Sequence, residues 1–328
     1  MKIRFGVIGT NTITDRVLEG AALDPRFQLA AVYSRSEERA KEFAGKYGVT
    51  QIFTDFQMMS ECIDAVYIAS PNALHFEQSL FFLKKGIHVL CEKPLCSNAY
   101  EANILIETAK KNRIVFMEAM VSTLNPNFLA LRDHLHRIGT IRKYFASFCQ
   151  YSSQYDKLKE GIIENRFNKA LSNGALVDIG VYTIFPMVVL FGKPKSVKAI
   201  GHLLSSGVDG SGSAIFEYDG MDALISYSKI SNSSTSAEIQ GEEGSLILDR
   251  INIPRQLLFK PRNNPQQDLS VNHCGNDYYY EIKEFINLIE TGKIEHDINS
   301  HQHSLMVMEL MDEIRKQIGL VYQADINV

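Results

Sequence analysis

Three side chains in this sequence have the types and spacing of a proton-transfer site: Lys93, Asp178 and Tyr182. Lys93 ends the apolar run His88-Val89-Leu90-Cys91 and stands before Pro94 in the segment CEKPL. A strand that closes on Glu92, Lys93 and Pro94 delivers an ammonium group to the carboxyl edge of its sheet, where open α/β folds bind ligands. At that edge the ammonium can stabilise an alkoxide as a carbonyl takes up hydride. It can also pass a proton, if burial and a neighbouring cation depress its pKa. Pro94 turns the chain there, and a bond before proline is the kind that tolerates a cis geometry. Glu92 and Lys93 are adjacent on a strand and point to opposite faces, so Glu92 is expected to find another partner.

About ninety residues further on, NGALVDIGVYTIFPM (173–187) sets Asp178 and Tyr182 four apart, on one face of a helix opened by Gly174. The remainder of that stretch is apolar, so the pair is either buried together or turned to a cleft. Pro186 cannot donate to the Tyr182 carbonyl, which predicts a bend. A tyrosine beside a lysine is a proton-transfer arrangement. At an effective dielectric of about 20 and roughly 4 Å, one cation lowers the cost of a tyrosinate by about 4 kcal/mol, or about three pKa units. Asp178 would fix a substrate hydroxyl or hold Lys93. Taken singly, these motifs also fit plain structural roles: a surface turn, a capping aspartate, and a core tyrosine bonded to a backbone carbonyl.

Other residues read as a nucleotide site. In GVIGTNTIT a first strand meets a first helix, and Gly9, Thr10, Asn11, Thr12 and Ile13 surround the helix N-terminus, where backbone N–H groups can hold a pyrophosphate. Of the glycines in a G-x-G-x-x-G fingerprint only Gly9 is present; Asn11 and Thr14 take the other places. Asparagine tolerates left-handed backbone, so the turn can still form, and Thr14 is expected to loosen helix–strand packing. At the end of the second strand, YSRSEER offers Ser34, Arg35 and Arg39 and no carboxylate. A hydroxyl and two guanidinium groups suit a 2′-phosphate, so NADP is preferred over NAD. The alternative is that the arginines pair with Glu37, Glu38 or Glu42. In SPNALH, Ser70, Pro71, Asn72 and His75 follow the third strand; Asn72 and His75 could bond ribose or the nicotinamide amide, or serve as a helix cap and a first-turn histidine. Glu92, Lys93 and Pro94 complete the nicotinamide side.

The elements that must position these groups alternate. IRFGVIG (3–9), FQLAAVYS (27–34), DAVYIAS (64–70), HVLCEK (88–93) and IVFMEAM (114–120) are apolar on both faces, as covered parallel strands are. Helical stretches separate them, one with Asn98 and Glu101 at capping-box spacing. This pattern predicts an α/β fold, a doubly wound Rossmann sheet over residues 1–120. From 121 to 328 the texture becomes α+β, with a large, mostly antiparallel open sheet. Asp219-Gly220 and SAEIQGEEGSLILD mark hairpins, and two helices close the chain.

Composition narrows the function. Hydrophobic residues make 45% of the 328, enough for a real core, and the formal charge of −4 gives no footprint for nucleic acid or anionic membrane. No apolar run approaches a membrane span; the longest, TIFPMVVLFG, holds a proline and a glycine. The five cysteines are scattered, without a C-x-x-C pair, which suits reduced cytoplasmic thiols. No metal site is expected.

Together these segments resemble the glucose–fructose oxidoreductase, inositol dehydrogenase and rhizopine-catabolism (Gfo/Idh/MocA) oxidoreductases. The resemblance runs nearly end to end: GVIGT, SRSEERA, SPNALH, CEKPL, GALVDIGVY and the closing HSLMVMELMDEIRKQIG carry it. GALVDIGVY looks most like the dimeric dihydrodiol dehydrogenase and pentose dehydrogenase branch, with tyrosine rather than histidine at position 182. The family implies NAD(P)-dependent redox chemistry at a carbinol carbon of a sugar, cyclitol or vicinal diol. It casts Lys93 as the catalytic lysine, Tyr182 as acid/base and Asp178 as substrate or lysine partner. It implies a homodimer or homotetramer through the open sheet face. Two departures stand out: Asn11 for a common glycine, and Asn125 in STLNP where relatives carry histidine before proline, beside nicotinamide and substrate. Arg166 is a candidate substrate contact, or else a helix-approach salt bridge. The expectation is a cytoplasmic dehydrogenase. The rival is a nucleotide-sensing regulatory protein that lost turnover, against which the intact Lys93–Asp178–Tyr182 set argues, since a pure binder needs no proton donor.

Overall fold

The apolar runs of the first 120 residues do become parallel strands. In the computed structural model, which describes residues 2–326, they are β1 (Ile3–Ile8), β2 (Phe27–Tyr33), β3 (Ile52–Phe53), β4 (Ala65–Ile68), β5 (His88–Glu92) and β6 (Phe116–Ala119). They form one sheet in the order β3-β2-β1-β4-β5-β6, parallel at every pairing. Every residue of β4 and β6 is buried, which is why the sequence shows no alternation there. The two-residue edge strand β3 is the one the sequence hid. Crossovers carry α1 (Thr12–Ala21), α2 (Glu37–Lys46), α3 (Phe56–Ser60), α4 (His75–Lys84) and α5 (Ala99–Asn112). Asn98 caps α5 by accepting the Glu101 N–H at 2.9 Å, and Glu101 accepts from the Ser97 N–H. The strand order reverses between β1 and β4, so the loops after β1, β4 and β5 cluster at the switch point where such sheets bind ligands.

The second sheet follows α6 (Pro126–His134). Its strands are β7 (Ile141–Cys149), and, after α7 (Ser153–Lys159) and α8 (Val181–Phe191), β8 (Ser196–Leu203), β9 (Asp209–Glu217), β10 (Asp222–Ser228), β11 (Ala237–Gly241), β12 (Gly244–Leu248), β13 (Leu257–Pro261) and β14 (Gln267–Asp268). The order is β14-β13-β12-β11-β7-β10-β9-β8. Only β7–β10 pair in parallel, so the expected antiparallel character holds with one exception. Both predicted hairpins are present. Gly220 takes φ +74° in the β9–β10 turn, and Gly241 faces Gly244 across the β11–β12 turn. One face is covered by α8, whose Ile184, Phe185, Met187 and Val188 are buried.

The chain makes two compact units, and they are not a simple division at residue 120. One takes the residues up to Ala119 together with Cys274–His301; the other takes Met120–His273 and the residues from Gln302 on. The returning segment holds α9 (Tyr278–Thr291), which packs on α1 in the first unit. A Cβ on Gly20 would lie 2.8 Å from the Tyr279 nitrogen, the Phe285 and Phe5 rings are 5.9 Å apart, and Arg26 donates to Asn287 and Glu290. In the second unit, α10 (His301–Ile318) sets Gln317 against β8, accepting from the Ala199 N–H and donating to the Val197 carbonyl.

One expectation is corrected. By length and composition, Lys169–Phe191 could cross a membrane. Its backbone, however, is interrupted by φ values of +53° at Ser172 and +151° at Gly174, and 72% of its apolar window is buried within the protein. It is a core segment of the second unit.

Gly9 makes the sharp β1–α1 turn at φ +106°, and a Cβ there would sit 2.4 Å from the Ala69 carbonyl oxygen. Gly9→Ala is therefore expected to destabilise the protein by about 1–3 kcal/mol, read from the urea midpoint at unchanged slope.

Candidate active site

In the first unit the phosphate turn is built differently from the sequence expectation. Asn11 is extended (φ −105°, ψ 173°), not left-handed, and caps α1. Its Oδ1 accepts from the Ile13 and Thr14 N–H groups at 3.0 and 3.1 Å, and its Nδ2 donates to the Ala69 carbonyl at 2.8 Å. Thr14 does not loosen the packing either. It is fully buried, and its hydroxyl donates to the Gly9 carbonyl at 2.9 Å, closing the turn. Asparagine and threonine thus hold by hydrogen bonds a turn that two further glycines would merely permit.

At the end of β2, Ser36 caps α2 and the Ser34 hydroxyl accepts from its N–H. Arg35 and Arg39 are exposed. The alternative pairing does not form: Glu37 pairs with Lys41 at 2.6 Å, and among the described residues neither arginine makes an ion pair. After β4, the Ser70 hydroxyl donates to Gln78 at 2.7 Å. Asn72 is not the cap of α4. It opens a short 3-10 turn, Asn72–Leu74, after Pro71, and is buried.

His75 corrects another expectation. It is buried, and its Nδ1 and Nε2 each lie 2.9 Å from a carbonyl oxygen, of Pro94 and of Ser70 respectively. Both ring nitrogens face backbone carbonyls, and the neutral ring that burial favours donates its one N–H to one of them. The ring is instead a strut joining the end of β4 to the CEKPL turn. Burial lowers its pKa, while the two carbonyls favour the protonated ring and Lys93 opposes it. Lys93 itself is half-buried, its peptide bond to Pro94 is cis, and Glu92 takes its hydrogen bond from Tyr67 at 2.6 Å. Burial raises the Glu92 pKa, and Lys93 pulls it back down. Glu281 on α9 is buried too, and burial with the charge of Glu92 pushes its pKa well up.

In the second unit, the segment before α8 is a π-helical turn, Leu176–Gly180. From Ser172 to Val188 every residue is buried except Asp178 and Tyr182. The two polar groups therefore share the single stripe of this apolar helix that is not packed. Tyr182 stands edge-on to Phe148, ring centroids 5.6 Å apart. The turn is anchored at its start by Asp209, which is fully buried and accepts the Leu176 N–H at 2.7 Å. Burial pushes Asp209 up to about 6. A Cβ on Gly174 would lie 2.1 Å from Asp209 Oδ1, so only glycine lets the helix start there.

Asp178 accepts a hydrogen bond from Lys229, a residue that sequence reasoning passed over. Lys229 follows β10, has 2% of its side chain exposed, and lies 5.9 Å from the Phe167 ring centroid. Within SYSKI it looks like a strand-end lysine in water; only the tertiary fold buries it. Asp209, in GVDGSGS, reads likewise as a turn residue. Asn125 is fully buried and caps α6, accepting from the Asn127 N–H at 2.9 Å, with its Nδ2 unpaired among the described residues. Arg166 is exposed and, among the described residues, makes no ion pair; its N–H donates to Gln154.

Comparison with known proteins agrees with this architecture. A family model described as an oxidoreductase family with an NAD-binding Rossmann fold matches residues 3–120, and the GFO/IDH/MocA C-terminal domain matches 128–247. The chain belongs to the GFO/IDH/MocA family. It is 52% identical over 325 residues to the scyllo-inositol 2-dehydrogenase (NADP(+)) IolU of Bacillus subtilis (strain 168), covering 98% of this chain and 99% of that protein. It is 26% identical over 342 residues to the trans-1,2-dihydrobenzene-1,2-diol dehydrogenase of Mus musculus, with 99% of each covered. The structure of KijD10, a 3-ketoreductase from Actinomadura kijaniata in complex with NADP and TDP-benzene, superposes with a TM-score of 0.84 at 27% identity, covering 97% of this chain and 98% of that one. As a GFO/IDH/MocA protein this chain is an oxidoreductase of CH–OH groups that uses a nicotinamide cofactor. The residues present fit that cofactor: a closed turn at the N-terminus of α1 for a pyrophosphate, and two exposed arginines without carboxylate partners at the end of β2.

His75→Ala would remove the ring packed between the Ser70 and Pro94 carbonyls and leave one of them without its donor. It is expected to cost about 1–3 kcal/mol of stability by urea denaturation; a loss under about 0.5 kcal/mol would show that the ring is no strut.

Proposed function

We propose that this chain is an NADP-dependent dehydrogenase of a cyclitol or related polyol, sugar or vicinal diol, with scyllo-inositol the first substrate to test. The observation that carries the reading is the pair Asp178 and Tyr182, the two residues between Ser172 and Val188 that are not buried, in a chain 52% identical over 325 residues to an NADP(+)-dependent scyllo-inositol 2-dehydrogenase. When bound, NADP supplies the hydride acceptor. Gly9, Thr10, Asn11, Thr12 and Ile13 hold its pyrophosphate, Ser34, Arg35 and Arg39 its 2′-phosphate, and Ser70, Pro71, Lys93 and Pro94 the nicotinamide end. Asn72, His75 and Glu92 contribute by shaping those loops.

Tyr182 is assigned the proton of the carbinol and Lys93 its charge. The hydroxyl gives its proton towards the Tyr182 phenolic oxygen, and the Lys93 ammonium holds the alkoxide charge as the carbinol C–H is broken. Asp178 accepts a hydrogen bond from a substrate hydroxyl and fixes which carbon is presented, a positioning effect worth as much as the charge itself. Asn125 and Arg166 are the remaining candidate substrate contacts.

The chain works as a homodimer or homotetramer through the open face of its second sheet. Ile200 on β8 and Ile215 on β9 support this, 75% and 54% exposed on neighbouring strands. Five free cysteines suit a cytoplasmic enzyme.

Lys93→Ala should abolish NADP reduction by scyllo-inositol and by every other polyol tested while leaving NADP binding within about tenfold, roughly 1.4 kcal/mol. Lost binding would mean that Lys93 is structural. Arg35→Ala should weaken NADP more than NAD in parallel titrations. Equal losses would remove the 2′-phosphate assignment.

A further inference from the structure

A lysine is almost never buried without a partner, and Lys229 is among the largest fully buried side chains of the protein. Its backbone is fixed at both ends: its N–H donates to the Gly210 carbonyl and its own carbonyl accepts from Ser152, at 2.8 and 2.9 Å. Its side chain reaches Asp178, which keeps 24% of its own surface open. One carboxylate thus meets a buried cation while staying partly exposed. We infer that Lys229 is a positioning residue for the proposed reaction: it orients Asp178 towards the substrate hydroxyl and cancels its charge beside Tyr182. The inference rests on the dehydrogenase reading above and goes further, because it assigns a role to a residue outside the Lys93–Asp178–Tyr182 set.

The electrostatic reason is simple. Asp178 and Tyr182 lie one helical turn apart, so an uncompensated carboxylate there would oppose removal of the phenolic proton. A tyrosine that must be a phenolate to accept the substrate proton needs that carboxylate neutralised or turned away. Lys229 does both through one contact. Around this helix within the same unit, the neutral phenols Tyr144 and Tyr322 donate to the Thr183 and Asn173 carbonyls, Asp209 caps the first turn through the Leu176 N–H, and the Tyr227 ring lies 3.1 Å from where a Gly180 Cβ would be. Asp209 is on the helix's buried end, and Tyr227 is neutral, burial raising its pKa well above the usual phenol value. Neither supplies a cation to Asp178.

The test compares wild type, Lys229→Met and Lys229→Arg in NADP reduction with scyllo-inositol and a panel of cyclitols and diols, across pH, with NADP affinity measured by calorimetry. In Lys229→Met the low-pH limb of kcat/KM should move up by about one unit or more, so that kcat/KM below the limb falls about tenfold or more, with NADP affinity within about twofold. Lys229→Arg keeps the charge and should leave the limb in place. A Lys229→Met protein with an unmoved limb, or one whose loss tracks cofactor affinity, overturns the positioning role. A displaced limb in Lys229→Arg overturns it too, even if Lys229→Met does not fold. A wild type that oxidises nothing in the panel overturns the dehydrogenase reading and the role of Lys229 together, whereas an active wild type with an indifferent Lys229→Met overturns only the latter.

Discussion

An ammonium group cannot remain charged in a protein interior without a carboxylate, and the contact between Lys229 and Asp178 satisfies that requirement in the second unit. Much follows from it. The helix carrying Asp178 is apolar almost throughout and would otherwise bury every side chain. With Asp178 turned to Lys229 after β10, Tyr182 lies one turn on along the same stripe, and α8 packs on β7 and β10. Removing one partner of such a buried pair typically costs about 3–5 kcal/mol, because the other charge is stranded. The arrangement is thus locked by electrostatics as well as by packing.

The first unit solves a related problem with neutral groups. A parallel strand end is polar backbone in an apolar setting, and its carbonyls must be satisfied. His75 does this for the loops after β4 and β5 at once, holding Ser70 and Pro94. Glu92, buried beside Lys93, takes its hydrogen bond from Tyr67, and burial with the charge of Glu92 pushes the Glu281 pKa up. These buried acids let Lys93 be the group that remains half-open. The phosphate turn follows the same logic, with Asn11 and Thr14 satisfying backbone donors and acceptors.

How much of this the sequence disclosed depended on how local each cause was. Strands β1, β2, β4, β5 and β6 were legible because burial on both faces writes a continuous apolar run. Strands β3 and β14, of two residues each, leave no period to detect. The Asn98 cap was legible because its partner is three residues away. Asn72 was misread because Pro71 favours a 3-10 turn ahead of the helix, and Asn11 because the glycine fingerprint drew attention from its capping ability. Asp178 and Tyr182 were legible from their spacing, although the π-helical turn that carries Asp178 was not. Lys229 and Asp209 could not be found, since both are buried by segments distant in sequence. The return of 274–301 to the first unit was hidden for the same reason.

The central claim is that a carbinol hydrogen leaves this protein's substrate as hydride for NADP while Lys93 and Tyr182 manage the charge and the proton. The most direct measurement is isotope transfer. Protein incubated with NADP and scyllo-inositol deuterated at its ring carbons should yield NADPH one mass unit heavier, with the label at nicotinamide C4. Reduced cofactor carrying no deuterium, or no reduced cofactor at all from this cyclitol and its polyol and diol analogues, would contradict the account.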